Sequence, residues 1–303
     1  MKSIHFSDIH FTVNAQLDQV SRRVWVNDYQ TENPAALRSF LFDLAIQKGL
    51  EKIIFPVRMG DEEKFQGEGF YTEGVIPGYF DGIDACFLAA FPSQSRSVSA
   101  SLSQDLKMLR EILQRPKKYI KKTQQNFFIS NASEKDIPFM ALLFSQVFSS
   151  YPTPVHDLHY LTEAMDKGDI YMVIYCGHRL VGVASAEIQR EQGRAELTNC
   201  AIDQNFRGEG LITALLDKIR ATCLSHNIKC LYSLARASSY GMNLALHRLG
   251  YVYSGTLKNN CHIGGDFENM NIWVNCCGKK SMQKNFTSTN NFIDKLELYQ
   301  RGS

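Results

Sequence analysis

The segment Arg194-Ala-Glu-Leu-Thr-Asn-Cys-Ala-Ile-Asp203, followed at once by Asn205-Phe-Arg-Gly-Glu-Gly210, constrains the fold more than any other part of the chain. An apolar run carrying one glutamate reads as a strand. The glycine loop after it opens a stretch in which Leu211, Leu215, Ile219 and Cys223 fall on one face of a helix. A helix start offers unpaired N–H donors and the positive end of the helix dipole, which suits a phosphate. Gly208 and Gly210 let the backbone approach closely without a Cβ, although a tight strand-to-helix turn needs glycine on steric grounds too. Glu196, a few residues upstream, is placed to accept a proton. Phosphate binding beside a base is what acyl transfer from a nucleotide-type carrier to an amine requires.

The 303 residues suffice for two modest domains, and their net charge of +2 gives no reason to invoke nucleic acid. No apolar run approaches the ~18 residues of a membrane span, and from the polar N-terminus no signal peptide is expected. None of the eight cysteines forms a C-x-x-C pair, so a zinc or dithiol site has little support, and no metal is expected. A cytoplasmic protein fits best, without a membrane partner, and a homodimer is compatible with the sequence.

The C-terminal half reads as a series of elements. Strand 127–130 and a helix from about Ile137 to Phe148 come first, then a second helix ending near Asp166. Strands 170–176 and 180–189 form a hairpin, followed by strand 195–202 and the helix to about His226. Strand 229–235, helix 240–249 and strands 251–257 and 267–274 close the unit. Upstream, an amphipathic helix over 99–114 runs into Arg115-Pro-Lys-Lys-Tyr-Ile-Lys-Lys, read as a linker that divides the chain near residue 120. The expected units are thus 1–120, 121–277 and a polar tail, 278–303.

The N-terminal unit is a smaller α/β domain with helix 34–48 and strands 50–57, 71–75 and 84–91. Its Gly69-Phe-Tyr-Thr-Glu-Gly-Val resembles Gly250-Tyr-Val-Tyr-Ser-Gly-Thr in the later half, as a degenerate half-copy of one fold would. Two unrelated α/β segments sharing a Gly-aromatic turn would look the same.

The element order around Asn205–Gly210 resembles the GNAT superfamily of acetyl-CoA-dependent N-acetyltransferases, over about residues 127–275. That resemblance implies an α/β fold with a mixed, mostly antiparallel sheet flanked by helices. It matches the family's signature at both glycines, with Asn205 departing at the first position. It also implies acetyl-CoA as co-substrate, with Ala201 and Ile202 offering backbone groups to the pantetheine arm. Arg207, Gly208, Glu209, Gly210 and Leu211 would hold the pyrophosphate, and Asn243 replaces an asparagine expected near Ser239. Glu196 falls where protein-acetylating members carry a general base; the alternative is a surface glutamate paired with Arg194 or Lys229. The tyrosine many members use as general acid is Leu246 here, which leaves Tyr240 and His247 as substitutes. No cysteine is placed to argue for a covalent intermediate.

Further stretches resemble the β-lysine N-acetyltransferases, which make N6-acetyl-β-lysine as a compatible solute. They are Tyr151-Pro-Thr-Pro-Val-His-Asp157, Ser233–Asn243, Asn259–Trp273 and, in the N-terminal half, Glu73–Asp84. The implied partner is a small-molecule amine, β-lysine, bound by Tyr151 and Asn199. Arg236 is the candidate for its carboxylate. Asn259, Asn260, Asp266 and Glu268 are candidates for its ammonium, although asparagines beside Gly264-Gly265 also suit a turn. Another amine as substrate, or a non-catalytic acyl-CoA-binding regulator, are the competing readings.

Overall fold

The computed structural model describes residues 2–65, 69–117, 127–148, 151–276 and 293. The division near residue 120 and the tail beyond 277, apart from Ile293, lie outside these. The chain begins with β1 (Lys2–Ser7), β2 (Phe11–Asp18), β3 (Arg23–Thr31), α1 (Pro34–Gln47), β4 (Lys52–Arg58), β5 (Tyr71–Phe80) and β6 (Ile83–Ala90). Two helices, α2 (Gln94–Ser97) and α3 (Leu102–Leu113), lead to β7 (Phe127–Asn131), α4 (Ile137–Val147) and α5 (Leu158–Asp166). Then come β8 (Ile170–Cys176), β9 (Arg179–Gln189), β10 (Arg194–Ile202), α6 (Leu211–Ser225), β11 (Cys230–Arg236), α7 (Tyr240–Arg248), β12 (Val252–Ile263) and β13 (Asp266–Cys276). The first three strands were not among the expected elements, yet β2 alternates: Phe11, Val13, Ala15 and Leu17 are all buried.

All strands join one mixed sheet in the order β1-β2-β3-β4-β6-β5-β12-β13-β11-β10-β9-β8-β7. Among the described strands β3–β4 and β10–β11 are parallel pairs and the other pairings are antiparallel. The order β1-β2-β3-β4-β6-β5 is therefore repeated, strand for strand and direction for direction, by β8-β9-β10-β11-β13-β12. A helix, α1 or α6, bridges each parallel pair, as a parallel connection requires.

The two halves meet where Gly74 of β5 pairs with Gly255 of β12. These are the matching glycines of the two similar sequence stretches. A Cβ on Gly74 would lie 2.8 Å from the Ser254 carbonyl oxygen, and one on Gly255 would strike the Glu73 backbone, so neither position admits a side chain. Beside this contact Lys52 is fully buried, its Nζ 2.7 Å from Glu73 Oε2 and 2.6 Å from the Lys258 carbonyl.

One face of the C-terminal half is covered by α3, α6 and α7 and the other by α4 and α5. The stripe Leu102, Leu106, Leu109 and Ile112 puts α3 into the core with Leu215, Ile219 and Leu246, although it precedes the expected division. Each such buried side chain contributes roughly 1.5–3 kcal/mol relative to exposure.

Candidate active site

β10 and β11 pair over only three residues, Arg194–Glu196 with Cys230–Tyr232. A bulge between Thr198 and Ala201 then turns β10 away, with Asn199 at φ 50°, one of the few non-glycine residues in the left-handed region. Its side chain steadies the bulge by donating from Nδ2 to Ser185 Oγ at 2.9 Å. Where the strands part, a cavity of about 710 Å³ opens, within the range of small-ligand sites.

The glycine loop borders this cavity. Asp203 accepts from the Asn205 amide at 2.9 Å, and Gly208 and Gly210 adopt φ of 84° and 76°. Among the described residues no side chain caps α6, so its first-turn amides carry the dipole's positive end. A Cβ on Gly208 would project into open space with nothing within 4 Å. This is an anion cradle that any other residue would partly fill, and it fits the diphosphate of a CoA thioester.

Glu196, half-buried, lines the cavity at the point where β10 and β11 diverge. In register it faces Glu187 of β9 on one side and Tyr232 of β11 on the other. Burial pushes the Glu196 carboxyl up, against a hydrogen bond from Tyr232 and the charges of Arg23 and Arg194. Glu187 is pushed up by burial first, then by the charges of Glu196 and Asp169. The two titrate as a pair. Arg194 does not take Glu196: its guanidinium donates to Gln189 Oε1 and to the Tyr79 carbonyl, both at 2.7 Å.

Of the sequence candidates, Tyr151, Glu196, Asn199, Ile202, Arg207, Gly208, Gly210, Leu211, Arg236 and Asn260 all border this one cavity. Asn199 Oδ1 and Asn260 Oδ1 are buried and have no hydrogen-bond partner among the described residues. Leaving such an acceptor unmet costs about 1–3 kcal/mol, a cost that a bound donor removes.

The remaining candidates are not brought to the cavity wall. His247 is buried, its Nε2 2.9 Å from the Arg115 carbonyl and its ring edge-on to Trp273, which is a packing role rather than that of an acid. Tyr240 turns toward Arg115. Asn243 Oδ1 accepts from Asn271 Nδ2 and Trp273 Nε1, and its Nδ2 donates to the Arg236 and Ser239 carbonyls, so its side chain is spent inside the protein. Asn259 donates to the Arg96 and Val98 carbonyls, both at 2.9 Å. Glu268 is held by Arg236 and Ser238, which also engages the guanidinium reserved for a carboxylate. Ala201 sits in the apolar core under α4, and the Asp266 and Glu209 side chains are likewise absent from the lining.

Several lining residues were not foreseen. Glu187 and Tyr232 are revealed by register alone. Gln16, Arg23, Trp25, Asn27 and Tyr79 come from the N-terminal half and line the same cavity. Cys200 and Cys261 also line it; burial pushes the Cys200 thiol up to about 12 and raises that of Cys261, so both stay protonated. Among the described residues no His, Cys, Asp and Glu side chains group as metal ligands, and no helix is long and apolar enough to cross a membrane.

Residues 138–251 match the model of the acetyltransferase (GNAT) family. The N-acetyltransferase YodP of Bacillus subtilis is 33% identical over 273 residues, spanning 90% of this chain and 98% of its own length. The beta-lysine N(6)-acetyltransferase of Methanococcus maripaludis is 30% identical, spanning 75% of this chain and 83% of its own. That of Methanosarcina mazei is 31% identical, over 68% and 83%.

Proposed function

The chain belongs to the GNAT family of acetyltransferases, and from that premise we propose that it transfers the acetyl group of acetyl-CoA to the distal amine of β-lysine. The product, N6-acetyl-β-lysine, would serve as a compatible solute. The observation that carries this reading is the carboxylate pair Glu187 and Glu196 in a cavity that joins the glycine cradle to a wall of buried polar groups.

Acetyl-CoA supplies the thioester. For its diphosphate the chain offers the uncapped amides of α6, Gly208, Gly210 and the Arg207 guanidinium. Beyond Glu196 the edge of β10 that faces β11 is unpaired, so the backbone at Cys200–Ile202 is available to the amide-containing pantetheine arm as an added strand would use it. An alkylammonium has a pKa near ~10.4 and must lose a proton before it can attack. Glu196 takes that proton. Desolvation has already raised its affinity for one, and the Tyr232 hydroxyl fixes the carboxylate by donating to it. Glu187, opposite, is held towards its protonated form by burial and by the Glu196 charge, and offers an acceptor oxygen to the amine beside the base. Tyr151, stacked on Phe148 with ring centroids 4.4 Å apart, borders the same cavity.

Steady-state assays with acetyl-CoA and β-lysine, lysine or spermidine test the assignment. The highest kcat/KM is expected for β-lysine. A value no better than that for lysine removes β-lysine as the substrate, and a preference for spermidine assigns the enzyme to polyamines.

A further inference from the structure

Resting on the amine reading above, one question is what holds the other end of an amino-acid substrate. Among the described residues the positively charged side chains lining the cavity are three arginines, Arg23, Arg207 and Arg236. Arg236 is engaged through Nε and Nη2 by Glu268. Arg207 is exposed at the glycine loop, beside the α6 amides. Arg23, contributed by β3 of the N-terminal half, is only 6% exposed. Its Nε meets Asp18 Oδ2 at 3.1 Å, and its Nη1 donates to the Asn260 carbonyl at 3.2 Å and lies 3.3 Å from Cys261 Sγ. Among the described residues no hydrogen bond is made by Nη2. Its planar group is thus fixed in direction with one donor edge still unspent. Next to it, Asn260 is wholly buried with Oδ1 unpartnered, and Gln16 and Asn27 extend the polar wall.

We propose that the N-terminal half supplies the carboxylate end of the substrate site: Arg23 binds the carboxylate of a dibasic amino acid through Nη2, and Asn260 Oδ1 accepts from the ammonium near that carboxylate. The distal amine then reaches Glu196 and Glu187. A cavity that holds a carboxylate pair and a fixed guanidinium selects amino acids over polyamines, because a polyamine would set a second ammonium against Arg23. The half-copy of the fold is on this account a specificity wall for the half that performs the chemistry.

The test compares substrates with and without the carboxylate: β-lysine against 1,4-diaminopentane, and lysine against 1,5-diaminopentane. Arg23→Gln is expected to lower kcat/KM about 10- to 100-fold for the amino acids, chiefly through KM, and to change the diamines by less than about threefold. Arg23→Lys should fall between. Because Arg23→Gln leaves Asp18 buried without its partner, the neutral pair Asp18→Asn with Arg23→Gln is measured as well and should show the same shift in substrate ratio. Equal losses on amino acids and diamines in all three variants make Arg23 a structural residue and overturn the inference. Wild-type enzyme indifferent to the carboxylate overturns it too. If wild type prefers lysine to β-lysine while Arg23→Gln abolishes discrimination against diamines, the carboxylate site stands and only the β-lysine assignment falls.

Discussion

The two halves lay down their strands in the same order around one parallel pair, yet only one of them carries the proposed base and the glycine cradle. The registers align closely. Arg23, Val24 and Trp25 pair with Lys52, Ile53 and Ile54, as Arg194, Ala195 and Glu196 pair with Cys230, Leu231 and Tyr232. Trp25 therefore stands where the catalytic half has Glu196. Both central strands bulge just beyond, between Val26 and Asp28 in β3 and between Thr198 and Ala201 in β10. The helices that follow begin in opposite ways. In α1, Asn33 Oδ1 accepts from the Ala36 amide at 3.1 Å and Pro34 has no N–H to offer, so the start of the helix satisfies itself. In α6 the cap is a glycine and the amides are left for a ligand. Topology thus sets where a site can form, and a handful of side chains at the strand–helix joint decide whether one does.

This contrast can be broken at several points. Glu196→Gln should lower kcat about 10²- to 10⁴-fold with acetyl-CoA binding retained, measured by steady-state kinetics and by titration with CoA. At the seam, Glu73→Gln leaves Lys52 buried without its carboxylate and should cost about 3–5 kcal/mol in urea unfolding. A loss below about 1 kcal/mol would mean that the two halves do not depend on this pair. Gly208→Val forces a β-branched residue into the left-handed region and fills the cradle, so the KM for acetyl-CoA should rise roughly tenfold or more. The smallest effect is expected on the silent side. Asn33→Ala should cost about 1 kcal/mol of stability through its lost cap and leave the KM for acetyl-CoA unchanged. A change in that KM would show that the N-terminal helix start shares in cofactor binding.

What was legible in the chain follows the range of the interactions. The elements from Ile137 to Val274 announce themselves through local periodicity, and the glycine loop through a spacing of two residues. The similar stretches at Gly69 and Gly250 pointed to a repeated unit, and their glycines turn out to face each other at the seam. The strands before Thr31 carry only a short period-two signal, Ile4 and Phe6 in β1 and Phe11 to Leu17 in β2, and β1 is an edge strand whose residues are nearly all exposed. Glu187 is a single carboxylate near the end of a strand; only the antiparallel register places it opposite Glu196. Arg23 and Trp25 lie about 170 residues from the base in sequence, and only the continuous sheet brings them to the same cavity. Arg236 and Asn243 carried the right chemistry in the sequence, but their partners Glu268 and Trp273 are on another strand and had already claimed them.

The central claim is that a desolvated carboxylate pair at the parting of β10 and β11 is the base. It is tested most directly by the pH dependence of kcat/KM for β-lysine in wild type and in Tyr232→Phe. Burial raises both carboxyls, so the rate should climb with pH along a limb well above the ordinary glutamate pKa of ~4.3 and below the substrate amine at ~10.4. Tyr232→Phe removes the hydrogen bond that favours the ionised carboxylate, so Glu196 ionises less readily and the limb should move to higher pH. A limb near ~4.3 in wild type, or one that Tyr232→Phe leaves in place, would contradict the account.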